Sequence, residues 1–233
     1  MKARTRLLLA ASLAASLAGI IPAYVVQTSV SSVDHQTRPG RWPALPVDFV
    51  LDGGTLAGGD GETLILNALD AWDNVPTARR VGGELYVYVD GQGQPIDLDA
   101  GNFGVTYGII GDQVNEIVFD EDGAVLELLG LDPLGVAGIG ITVEDPANQN
   151  IIDAMLILNG TVSSGSSLDM EATAVHELGH VYGLGHSFIG AINGANTVPG
   201  LYRIAAAAIP TMYPYENPVD DTYGRTLEWD DYS

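Results

Sequence analysis

Residues 176–186 read His176-Glu177-Leu178-Gly179-His180-Val181-Tyr182-Gly183-Leu184-Gly185-His186, and only one other histidine, His35, occurs in the chain. His176 and His180 are four apart, so a helix carries both imidazoles on one face, one turn apart. Gly183 lets the backbone leave that helix sharply, because a residue without Cβ enters left-handed conformations at little cost. The turn brings His186 to the same point from outside the helix. Three neutral nitrogens around one zinc ion leave a fourth position for water, the pattern of a catalytic rather than a structural site. Glu177, beside the first ligand, is the expected general base for a zinc-activated water, with the leaving amine as the next proton acceptor. The plainer alternatives are a helix whose histidines are merely satisfied, and a metal site without turnover.

The segment before the globular part sets the compartment. Lys2, Arg4 and Arg6 precede an apolar or small-residue stretch from Leu7 to Val26, broken by Ser12, Ser16, Gly19, Pro22 and Tyr24. This reads as an export signal over residues 1–30 with cleavage near residue 23. An uncleaved membrane anchor is the alternative, since some twenty such residues just span a bilayer. Both put the remainder outside the cytoplasm, so the expected localisation is secreted or extracellular. Residues 31–46, polar and punctuated by Pro39, Pro43 and Pro46, read as a linker.

From residue 47 the pattern becomes globular, and residues 47–233 read as one domain. Val47–Leu51, Leu85–Val89, Val105–Ile110, Glu116–Phe119, Gly138–Val143 and Ile151–Leu158 are expected strands between Gly, Asp and Pro turns. Glu62–Trp72 has apolar residues at helical spacing, and Pro76 follows its end. Asp169 is placed to N-cap the histidine-bearing helix, which runs to about Tyr182. Nine basic against thirty acidic residues leave a net charge of −21, which repels phosphate backbones and excludes nucleic acid as a partner. Hydrophobic residues make up 46%, too many for a long disordered chain, and the absence of cysteine removes disulfides, thiolate ligands and a thiol nucleophile.

The run from His176 to Ser187 resembles the zinc-binding signature of the metzincin metalloendopeptidases, and its Gly183-Leu184 and His186-Ser187 resemble the matrixin branch. Pro210-Thr211-Met212-Tyr213-Pro214 is similar to the matrixin Met-turn. The resemblance implies an α+β, zincin-like metalloprotease domain: a mixed, mostly parallel sheet, an active-site helix beneath an edge strand, and Met212 as an apolar floor under the imidazoles. It implies one catalytic Zn2+ and a protein or peptide substrate lying extended along an edge strand, for which Gly138–Val143 is the candidate. Several family features are missing. No cysteine is present to cap the zinc, the only further histidine for a second, structural zinc is His35 in the linker, and Tyr215 follows Pro214 directly where the family has Pro-x-Tyr. Only Thr226–Ser233 remains for the family's final helix, which is expected to be truncated.

Asp52-Gly53-Gly54 and Asp120-Glu121-Asp122-Gly123 offer oxygen ligands for Ca2+, against a plain reading as solvated turns on an acidic protein. Asn159-Gly160-Thr161 is a glycosylation sequon. Tyr182 reads as a core or pocket-wall residue. The rival function from another class is an acidic, calcium-binding surface or matrix protein with a vestigial zinc site.

Overall fold

A computed structural model describes residues 25–26, 28–30, 37–56, 61–74, 81–163 and 170–185. Three short strands come first: β1 (Val25–Val26), β2 (Thr28–Val30) and β3 (Thr37–Pro39). β4 (Val47–Leu51), α1 (Gly61–Asp73) and β5 (Gly82–Val87) follow. Then come β6 (Glu116–Asp120), α2 (Ala124–Leu128), β7 (Gly138–Glu144) and β8 (Ile151–Asn159). The last are α3 (Gly160–Ser163), α4 (Met170–Val181) and β9 (Leu184–Gly185).

Five strands form one sheet in the order β5-β4-β6-β8-β7. β5, β4, β6 and β8 are parallel, and β7 runs antiparallel on β8 at the edge. The fold is therefore a mixed α/β arrangement on a mostly parallel sheet, and Gly138–Glu144, which contains the Gly138–Val143 candidate, lies at an edge. No helix among the described residues is long and apolar enough to cross a membrane.

Side-chain alternation assigns the two faces. Val47, Phe49 and Leu51 of β4, Ile117 and Phe119 of β6, and Ala154, Leu156 and Leu158 of β8 pack with α1 and α4 into one core. Val118, Met155 and Ile157 point the other way, against Ile96, Leu98, Phe103, Val125 and Leu126. Central strands apolar on both sides are what a sheet covered on both faces requires. The helix pair is tied by its indole: Trp72 Nε1 donates to the Val175 carbonyl at 2.9 Å. Tyr182 is a core residue, edge-on to Phe49 and Trp72 with ring centroids 6.5 and 5.7 Å away.

Four expectations change. Val105–Ile110 is not a strand: the Asn102 carbonyl accepts the N–H groups of Val105, Thr106 and Tyr107 and winds the segment into turns, leaving Val105 76% exposed. β5 starts at Gly82 rather than Leu85, because its pairing with β4 begins at Val47↔Gly82. The Asn159 sequon is inaccessible. Asn159 is fully buried, its Nδ2 donates to the Pro133 and Val136 carbonyls, and its Oδ1 accepts from Thr161. The stretch read as a linker contains β3, which pairs with β2 as a hairpin.

Candidate metal centre

α4 carries the histidines. The expected cap, Asp169, lies outside the described residues, as do His186, the Met-turn with Met212, and the segment Thr226–Ser233. The helix ends at Gly183, whose φ of 92° is left-handed and whose N–H donates to the His180 carbonyl at 2.9 Å. A Cβ there would stand 2.8 Å from the Gly40 carbonyl oxygen, so the position needs glycine for space as well as for backbone.

The four-residue spacing does what the helix period requires. The rings of His176 and His180 are 4.9 Å apart between centroids, at 83° to each other. A nitrogen from each and a carboxylate oxygen of Glu177 all lie within 4.8 Å of one another. His180 Nδ1 lies 2.8 Å from the Leu184 carbonyl. A carbonyl only accepts, so Nδ1 carries the proton and the lone pair is on Nε2, the form in which histidine ligates a metal. Glu177 Oε2 accepts the N–H of Gly140 on β7 at 2.7 Å. Burial pushes this carboxyl up to about 7, partly offset by that hydrogen bond. Gly138 and Gly140 make the approach possible: a Cβ on Gly140 would lie 2.4 Å from the Glu177 carbonyl oxygen and 2.9 Å from His180 Cβ. Thr173, Glu177 and His180, spaced as one helix stripe, thus face the edge strand.

The two suggested calcium loops are used otherwise. Asp52 is buried; its Oδ1 accepts from Gly54 and Leu98 and its Oδ2 from Phe119. Asp120 is also buried and accepts the N–H groups of Val125 and Leu126 at the start of α2. These carboxylates complete main-chain hydrogen bonding, and neither is a solvated turn.

A different carboxylate cluster was missed in the sequence. Oxygens of Asp112, Glu116 and Asp153 lie within 4.8 Å of one another. Glu116 has no exposed surface, and among the described residues neither of its carboxylate oxygens has a hydrogen-bond partner; Asp153 Oδ1 is likewise buried and without a partner among them. Asp153 Oδ2 accepts from Gly111. Desolvation, then the charges of Asp112 and Asp153, push Glu116 up to about 8. Burying such oxygens as unpaired ions is costly; protonation relieves it, and so does a hard divalent cation. The available signal was a lone Asp153 inside the apolar run Ile151–Leu158.

The chain matches no protein-family model, and no curated protein matches it significantly. Its function is therefore read from the site.

Proposed function

We propose that this chain is an exported zinc-dependent endopeptidase of the metzincin type, with a zincin-like fold and matrixin-like features. The observation that carries the reading is the convergence of His176 and His180, one nitrogen of His180 being held ready as a ligand, with Glu177 beside them under an edge strand. The chemistry of the donor set, two imidazoles with a third supplied by His186, suits Zn2+. A zinc ion there supplies a Lewis acid that polarises a peptide carbonyl and acidifies water. Glu177 is the base: burial raises its proton affinity toward neutrality, where a carboxylate both takes a proton from water and returns it to the leaving amine. β7 offers the extended substrate an edge for main-chain pairing. Met212, outside the described residues, is assigned to the floor of the site only by the resemblance of its segment to the Met-turn. The test is metal analysis of the purified protein together with chelator-sensitive cleavage of an unstructured protein. One zinc per chain and cleavage lost on chelation are expected; zinc-free protein, or cleavage indifferent to chelator, overturns the reading.

The calcium expectation moves to Asp112, Glu116 and Asp153, where the buried oxygens of Glu116 and Asp153 without partners among the described residues stand beside the exposed Asp112 and suit Ca2+. This cluster is also what favours the second reading, a calcium-binding surface or matrix protein with a vestigial zinc site. Calcium binding without any chelator-sensitive proteolysis would select that reading.

A further inference from the structure

The turn that follows the zinc helix is held by the other end of the chain. β1 pairs antiparallel with β9, Val25 opposite Gly185 and Val26 opposite Leu184. Farther along the same N-terminal segment, the Gly40 carbonyl abuts Gly183, and Trp42 Nε1 donates to the Val181 carbonyl at 2.9 Å. The Arg41 carbonyl accepts from Ile151, which anchors the segment to β8. The last carbonyls of a helix have no partner within it, so Trp42 meets a standing need at Val181. Leu184 is different, because its carbonyl accepts from His180 Nδ1. That bond orients the imidazole only if the carbonyl is itself held. Otherwise a two-residue segment simply follows the ring. Among the described residues, β1 is the strand that pairs with it.

We propose that β1 is a positioning strand for the metal centre: its pairing with Leu184–Gly185 holds the Leu184 carbonyl against His180 Nδ1 and thereby sets the tautomer and ring plane of a metal ligand. The inference rests on His180 being a zinc ligand. It makes Val25 and Val26 positioning residues acting through Leu184, far from them in sequence. It also assigns work to a stretch that composition alone reads as the tail of an export segment. Outer-shell partners of metal-bound histidines govern affinity in this way.

The test uses the full chain and Val26→Pro, which removes a main-chain N–H and restrains φ in β1. Nitrogen-15 correlation spectra of the metal-free protein report which ring nitrogen of His180 carries the proton. The parent should show it on Nδ1, and the variant a mixture of tautomers. Zinc affinity, measured by competition with a chelator, should fall about 10- to 100-fold. The visible spectrum of the cobalt-substituted form should shift, while the metal-free melting temperature changes little. An unchanged tautomer, zinc affinity and cobalt spectrum overturn the inference, as does zinc loss that merely tracks a collapse in metal-free stability. Should the proline variant not fold, Val25→Gly/Val26→Gly keeps both N–H groups and lowers strand preference. It should move the same three readouts in the same direction, and its failure to do so also overturns the inference. A parent that takes up no zinc while holding the proton on Nδ1 removes the zinc reading instead, and with it the functional meaning of the strand.

Discussion

Glu177 has two partners in this reading, the Gly140 N–H and the water to be activated, and a substitution can separate them. Glu177→Gln keeps an oxygen that accepts from Gly140 but takes no proton at neutral pH. Zinc content and melting temperature should stay near the parent values, and peptide hydrolysis should drop by about 10²- to 10⁴-fold. Near-parent turnover in that variant removes Glu177 from the chemistry. Asp52 gives a pH prediction. Burial outweighs its three main-chain donors and raises its carboxyl from 3.8 to about 6. The folded state thus keeps this proton where the unfolded chain has released it. The contribution to stability is fully present below about pH 4 and is lost as pH rises through about 6. Stability should decline across that window by something on the order of 1–3 kcal/mol, and Asp52→Asn should flatten the decline. Identical pH profiles for parent and variant, measured by thermal melting, would refute it. Tyr182 is simpler. Its ring is packed in the core and its hydroxyl is buried without a partner among the described residues. Removing an unsatisfied hydroxyl costs nothing in hydrogen bonding, so Tyr182→Phe should be neutral or stabilise by up to about 1 kcal/mol in denaturant melts. A clear destabilisation would reveal a missed partner.

At the scale of elements, the contact between α4 and β7 decides whether the site exists. Sequence periodicity marks Gly138–Val143 as a strand and 170–182 as a helix. It does not say that the strand's glycines meet the helix's Thr173, Glu177 and His180. Gly140→Ala puts a methyl group into backbone that has nowhere to go, so α4 must move off the edge strand. A loss of about 2–4 kcal/mol is expected, with weaker zinc binding in the same variant. Gly135→Ala, whose Cβ would stand 3.8 Å from its nearest neighbour, is the matched control and should change neither. Equal stability of the two variants would mean that the helix and strand are less closely packed than described.

For the whole molecule, the stability of so acidic a chain depends on what neutralises its buried carboxylates. Glu116, Asp153 and Asp112 converge from the start of β6, from β8 and from the loop before β6, so a cation among them ties two central strands to that loop. Calcium at about 100 times its dissociation constant should stabilise the folded state by about 2.7 kcal/mol. Melting temperature should fall when calcium is chelated and recover when it is restored, and Glu116→Gln should be largely insensitive to both. A parent protein indifferent to calcium, or a variant that responds just as strongly, removes the assignment.

Much of this was legible in the sequence, and the remainder divides from it along a physical line. β4, α1, β6, β7, β8 and α4 were readable because an apolar repeat of two or of 3.6 is a local property of the chain. So was the pairing of His176 with His180, since one helix turn brings them together whatever surrounds them. Everything that needed a second segment was not readable. The same periodicity misread Val105–Ile110, where Asn102 offers the backbone a competing set of hydrogen bonds. A sequon shows no burial, so Asn159 looked open. Asp52 and Asp120 look like calcium loops until the amides they serve are placed beside them. Asp112, Glu116 and Asp153 form one cluster only after β6 and β8 are laid in register, and the pairing of β1 with β9 joins segments far apart in the sequence. The chain's own spacing specifies which groups can act. Long-range packing decides which of them meet, because a contact between distant segments depends on the whole set of buried faces and not on either segment alone.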